Sequence, residues 1–168
     1  MKTLLKTTLF IFTGFMFSCK NEAVKSAHPL AGDWMIKNVE SKKYLAYTDD
    51  ETRPAFDIGI GVTQVMTVLA GPNPDQYYII PKANKDIYLS TAGAIYTYIA
   101  GINFSNSTDD LFAFVPINGG SDRYYIQSVA DPSRYLVSCY SCYGRSSTLS
   151  IQRFSPGYWD SIWILEKP

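Results

Sequence analysis

Tyrosine followed by leucine occurs at Tyr44-Leu45, Tyr88-Leu89 and Tyr135-Leu136, and an aromatic residue stands ten positions before each tyrosine, at Trp34, Tyr78 and Tyr125. The agreement needs no gap at any of the three places. The segments that open on these aromatics, Trp34-Met35-Ile36, Tyr78-Ile79-Ile80 and Tyr125-Ile126-Gln127, begin 44 and 47 residues apart. Self-similarity at such a period marks one supersecondary unit repeated along the chain, each copy burying the apolar face of its neighbours.

Each copy continues in the same way. After the Tyr-Leu strand and a loop come apolar residues two apart: Ile58 and Ile60, Ile102 and Phe104, Leu149 and Ile151. A period of two is that of a half-buried strand. A further strand closes each unit, at Val65–Leu69, Leu111–Val115 and Ile162–Leu165. Gly71-Pro72-Asn73-Pro74-Asp75 and Asn118-Gly119-Gly120-Ser121-Asp122 supply turn residues between units. Thirteen Tyr and nine Phe favour strands, and no amphipathic helix is expected after residue 25. Four strands in each of three units give twelve. Propellers close with 4–8 blades, so three units instead resemble the all-β β-trefoil, a six-stranded barrel capped by three hairpins. The expected domain spans 33–168, with repeats 34–77, 78–124 and 125–168. The three leading aromatics and Leu45, Leu89 and Leu136 are expected to meet around its pseudo-threefold axis, and Phe112 and Trp163 to pack in the core.

The first residues read as an address. Lys2 and Lys6 precede an apolar run, Leu9–Phe17, which ends at the small Ser18. Basic start, apolar middle and small residue at the cut are the layout of a secretory signal, here 1–18. The run is too short for a bilayer span of about 20 residues. Cys19 directly after Ser18 resembles the lipobox of bacterial lipoproteins, which implies that Cys19 is lipidated and begins the mature chain. Lys20-Asn21-Glu22 resembles the charged export signals of Bacteroidetes surface lipoproteins. The alternative is an ordinary secretory signal cut elsewhere. Residues 19–32 then form a lipidated tether. Cys139 and Cys142 remain, as Cys139-Tyr140-Ser141-Cys142. Two ligands do not make a zinc site, so the pair is either a local disulfide across a turn or two free thiols.

Among trefoils the pattern looks most like the ricin B-type lectins, whose repeat runs as an aromatic-Ile-x-Asn strand, a Ser-Gly-Lys-x-Leu turn and a closing Gln-x-Trp. Ile36-Lys37-Asn38 and Ser41-Lys42-Lys43-Tyr44-Leu45 match the opening. The closing triplets are Gln64-Val65-Met66, Asp110-Leu111-Phe112 and Ser161-Ile162-Trp163. The resemblance covers about 33–168 and implies a carbohydrate-binding scaffold. The family's sugar-binding Asp follows the Leu, where this chain has Ala46, Ser90 and Val137. Its Asn precedes Gln-x-Trp, where this chain has Thr63, Asp109 and Asp160. Sugar sites pair a flat aromatic face with planar polar groups. The candidates are therefore Tyr47, Asp49 and Asp50 in the first unit, and Tyr96, Tyr98, Asn103 and Asp109 in the second. In the third they are Tyr140, Tyr143, Arg145 and Asp160. The alternative is that these tyrosines dress or underpin the hairpins.

Enzyme signals are absent. His28 is the single His and lies ahead of the domain, so no Ser-His-Asp or Cys-His arrangement is available within it. Asp49-Asp50-Glu51 and Asp109-Asp110 read as solvated loop charge. Gly59-Ile60-Gly61 lacks the Lys-Ser/Thr of a phosphate loop. Removal of Lys2 and Lys6 leaves thirteen basic side chains against fifteen acidic ones, which attracts neither nucleic acid nor anionic lipid. The expectation is a monomeric lipoprotein of the outer membrane or cell surface, with no cofactor, metal or catalytic residue, that binds a glycan or, alternatively, a protein.

Overall fold

Alternating apolar residues shape most of the twelve strands found among the described residues. The computed structural model describes residues 28–48, 55–59, 63–92, 100–103, 107–117, 122–139, 148–153 and 159–168. The first unit holds β1 (Gly32–Asn38), β2 (Leu45–Thr48), β3 (Ala55–Ile58) and β4 (Val65–Ala70); the second holds β5 (Gln76–Pro81), β6 (Ile87–Ser90), β7 (Ala100–Asn103) and β8 (Phe112–Pro116). The third holds β9 (Arg123–Ser128), β10 (Arg134–Cys139), β11 (Thr148–Arg153) and β12 (Ile162–Glu166). The first and fourth strands of all units pair in a closed antiparallel ring, β1–β4–β5–β8–β9–β12 and back to β1. Closure removes exposed sheet edges from the barrel. The middle strands pair as hairpins, β2–β3, β6–β7 and β10–β11. The fold is a β-trefoil.

Register defines the two ends of the barrel. β1, β5 and β9 each run toward a hairpin. Asn38, at the end of β1, pairs with Trp163 near the start of β12, and Pro81 and Ser128 pair likewise with Met66 and Phe112. The starts of β4, β8 and β12 therefore lie at the hairpin end. The opposite end, the mouth, carries the start of β1, the end of β12 and the turns joining β4 to β5 and β8 to β9.

The same pairings set the threefold correspondence, and it builds the core in layers. Ile36, Ile79 and Ile126 occupy one position, Leu45, Leu89 and Leu136 a second, and Met66, Phe112 and Trp163 a third; all nine are 0% exposed. Full burial of such a side chain is worth about 1.5–3 kcal/mol. Trp163 also donates its indole N–H to the Leu136 carbonyl at 2.9 Å, inside the core. That bond ties the third hairpin to the barrel.

The correspondence corrects the aromatic register. Trp34 matches Tyr77 and Tyr124, not Tyr78 and Tyr125, because the link from β1 to β2 is one residue shorter than its two counterparts. Side chains alternate faces along a strand, so a shift of one exchanges inside for outside. Tyr78 and Tyr125 stand half-buried on the outer wall, edge-on to Tyr88 at 5.7 Å and to Tyr135 at 5.9 Å. In the first unit Lys37 lies 5.2 Å over the Tyr44 ring instead. Trp34 is also half-buried, so the leading aromatics are not buried together in the core, whereas the three leucines are fully buried in one core cluster.

Asn38 holds the first unit to the third. Its side-chain amide donates to the carbonyls of Asp160 (2.8 Å) and Ile162 (3.2 Å). Its Oδ1 accepts from the Glu40 and Ser41 amides at 3.1 and 2.9 Å. The turn it braces puts Lys42 at φ 59°, where the lectin pattern has Gly. A side chain in this left-handed region costs roughly 1–2 kcal/mol.

The packed chain begins ahead of β1. Leu30 packs against the core, and its carbonyl accepts the Trp34 indole N–H at 2.8 Å. The His28 ring meets Tyr77 edge-on at 5.6 Å, and Tyr77 in turn meets Phe114 at 5.6 Å. Residues 28–31 thus lie across the barrel mouth.

Leu136→Ala is expected to lower unfolding free energy by about 2–5 kcal/mol. Lys42→Gly is expected to raise it by up to about 1 kcal/mol, the relief at φ exceeding the entropy cost of Gly. Urea denaturation checks both.

Candidate functional site

Two short 3-10 helices stand at the hairpin end, Thr108–Asp110 ahead of β8 and Trp159–Ser161 ahead of β12. They sit at corresponding places in the second and third units, packed against β6 and β10 respectively. Thr63 and Gln64 hold the place in the first unit. These helices carry Asp109 and Asp160.

Asp109 is held on both carboxylate oxygens. Ser107 caps the helix by accepting the Asp109 amide at 3.2 Å, and its hydroxyl returns a bond to Oδ2 at 3.0 Å. The Thr91 hydroxyl lies 3.4 Å from Oδ1 and 3.1 Å from the Asp109 carbonyl, which also accepts the Thr91 amide at 2.9 Å. Thr91 follows β6 directly and precedes Tyr96 by five residues in the sequence. The structure therefore brings Asp109 beside the end of β6. Ser107 and Thr91 escaped the sequence reading, although Ser-x-Asp before an apolar strand is a recognisable capping pattern.

Asp160 differs in its environment. Its backbone carbonyl accepts from Asn38, but Oδ1 is buried without a hydrogen-bond partner among the described residues. Desolvation, and next the negative charge of Glu40, push its carboxyl above the usual range. The helix contacts β10, and β10 ends at Cys139, the residue before Tyr140.

The remaining candidates divide clearly. Tyr47 is a correction: it is 1% exposed and packs at 5.6 Å on Phe56, because β2 is covered on both faces and every residue from Leu45 to Tyr47 is buried. It offers no face to a ligand. The positions after the leucines, Ala46, Ser90 and Val137, are likewise buried. Asp110 is a second correction. It is 0% exposed, at the Gln position of Gln-x-Trp, and is not solvated loop charge. Asn103 ends β7. Asp49, Asp50, Tyr96, Tyr98, Tyr140, Cys142, Tyr143 and Arg145 lie outside the described residues, as does Cys19. Among the described residues no three His, Cys, Asp or Glu side chains gather to hold a metal ion.

Neither a protein-family model nor a curated protein matches this sequence. Solved structures do share its fold. A mosquitocidal holotoxin superposes with a TM-score of 0.67 at 16% identity, over 83% of this chain and 17% of that one. The designed threefold-symmetric protein ThreeFoil gives 0.66 at 12% identity, over 82% of this chain and 99% of that one. A Polyporus squamosus lectin, solved with the influenza-binding epitope Neu5Aca2-6Galb1-4GlcNAc, gives 0.65 at 18% identity, over 82% of this chain and 49% of that one. The chain thus spans a small part of the toxin, about half of the lectin and nearly all of the designed trefoil.

A carboxyl that binds its proton more tightly when folded adds stability at low pH, and that stability is lost as pH rises through the raised value. At neutral pH the ionised Asp160 is therefore a net cost. Asp160→Asn is expected to raise the melting temperature at pH 7. The gain should shrink as pH falls through the carboxylate range and vanish below about pH 3.9, the ordinary Asp value. Thermal melts of both proteins across pH 3–8 check it.

Proposed function

We propose that this chain is a carbohydrate-binding module without catalytic activity, held in the bacterial cell envelope by a lipid on Cys19. The observation that supports the reading best is the matched placement of Asp109 and Asp160 at the hairpin end, on helices packed against β6 and β10, the strands that precede Tyr96 and Tyr140 in the sequence. A carboxylate accepts hydrogen bonds from sugar hydroxyls, and a tyrosine face covers the C–H side of the ring. The same fold in a lectin solved with a bound glycan epitope is in keeping with it. The Ser18-Cys19 junction behind a basic and apolar leader supports the lipid anchor.

One observation favours a second reading, a protein-interaction module using the trefoil loops. Ala46, Ser90 and Val137 are apolar or small and buried, so the acceptor that ricin-type lectins place there is missing in all three units.

Glycan-array binding by the domain, followed by titration of the best ligand, separates the two. Asp160→Ala is expected to weaken that ligand at least tenfold, roughly the loss of one charge-assisted hydrogen bond of 1.5–3 kcal/mol, whereas Asp109→Ala is expected to weaken it less than Asp160→Ala does, because Thr91 and Ser107 already occupy both Asp109 oxygens. Asp109→Asn keeps one acceptor oxygen, enough for Thr91 or Ser107 but not both, so its melting temperature should fall by no more than the loss of one hydrogen bond. Binding to no glycan, with a stoichiometric protein recovered from the envelope, overturns the carbohydrate reading.

A further inference from the structure

The mouth of the barrel is where the chain arrives from its N-terminal leader. Residues 28–31 do not merely pass it. His28 sits edge-on to Tyr77 at 5.6 Å, Leu30 packs against the core, and the Trp34 indole N–H holds the Leu30 carbonyl at 2.8 Å. On the same side of the mouth, Lys167 lies 3.4 Å over the Trp34 ring, so the two ends of the trefoil are pinned together on one face. Asp109 and Asp160 stand at the opposite, hairpin end.

We propose that the mouth is the membrane-proximal face of the molecule and that both candidate sites point away from the lipid surface. This rests on the lipid anchor at Cys19. The clasp matters because it shortens the tether. Cys19 to His28 is nine residues, which reach at most about 30 Å when fully extended, whereas a chain free to Gly32 would reach about 45 Å. Turning the hairpin end toward the membrane would lift His28 above the headgroups by a barrel height plus the hairpin layer. Strands of five to seven residues, rising about 3.3 Å per residue and tilted by roughly 40°, put the barrel at about 13–18 Å, and a hairpin layer of about 10 Å brings the distance to roughly 25 Å. A nine-residue tether meets it only when stretched to about four-fifths of its full reach, at the cost of much of its conformational freedom. Upright, the same tether is slack. The anchor then orients the module without any specific contact to lipid, which agrees with a mouth that carries charges of both signs, Asp75, Asp122, Arg123 and Lys167.

Energy transfer to the membrane surface tests the orientation. The full-length chain, extracted from membranes, carries a clickable non-natural residue in place of Asn73, in the mouth turn, or Lys85, in the turn at the hairpin end; both are exposed. Each is coupled to a donor dye and reconstituted into phosphatidylcholine vesicles containing a headgroup-linked acceptor. Donor quenching at position 73 should exceed that at position 85 at least twofold. A flexible insertion of about fifteen residues between Lys25 and Ser26 should narrow the difference. Equal or reversed quenching, with an acyl chain found on Cys19 by intact mass, overturns the orientation and leaves the anchor standing. A chain with no acyl group that stays in the aqueous phase overturns the anchor, and the orientation with it.

Discussion

The molecule depends on three side chains at one level of the barrel, Met66, Phe112 and Trp163. Each opens a strand that descends from the hairpin end, so each sits where a hairpin must meet the barrel. All three are fully buried, yet they differ greatly in volume. A close-packed interior cannot absorb such differences as empty space, so the surroundings differ too. Above the largest of them the third hairpin is fastened by the Trp163 indole bond to Leu136. The paired level below, Val68, Phe114 and Leu165, varies in turn and is less completely covered in the last two. The threefold symmetry is therefore one of position, with shape complementarity solved separately in each unit.

Buried polarity follows the same rule. The position that ends the first strand of each unit is Asn38, Pro81 or Ser128. Backbone groups at this corner need partners, and each unit provides them in its own way. Asn38 uses both ends of its amide and reaches the third unit. Pro81 accepts at its carbonyl from Asn84. Ser128 accepts the Asp131 amide at 3.3 Å. Among these three residues only Asn38 reaches across a unit boundary with its side chain, while the backbone amide of the next residue crosses it in every unit, Val39 to Ile162, Lys82 to Val65 and Val129 to Leu111.

Much of this was legible in the sequence because the core is built on a strict period. The Tyr-Leu pairs located Leu45, Leu89 and Leu136, and the last aromatics of two closing triplets located Phe112 and Trp163; Met66 takes its place beside them only through the register. The error at Tyr78 and Tyr125 has a single cause. A ten-residue spacing was read as a shared phase, while the first unit is one residue shorter between β1 and β2, and a sheet turns a one-residue slip into a change of face. Tyr47 and Asp110 failed for a different reason. Polar or amphipathic side chains next to loops usually face water, and only the cover laid over β2 and over the Gln-x-Trp position buries them. That cover comes from distant segments, so no local pattern announces it.

The two acidic positions at the hairpin end look equivalent in sequence and are not equivalent in energy. Asp109 already has a donor on each oxygen, Thr91 on Oδ1 and Ser107 on Oδ2. A ligand hydroxyl arriving there competes with bonds the protein has made and gains little net free energy. Asp160 has a desolvated Oδ1 with no donor among the described residues and a second carboxylate, Glu40, raising the cost of its charge. A donor that reached it would recover an interaction the folded chain forgoes, and satisfying a desolvated acceptor yields more than replacing one good bond by another. Binding free energy is therefore expected to concentrate in the third unit, with Asp109 contributing the fixed geometry of a preformed cap.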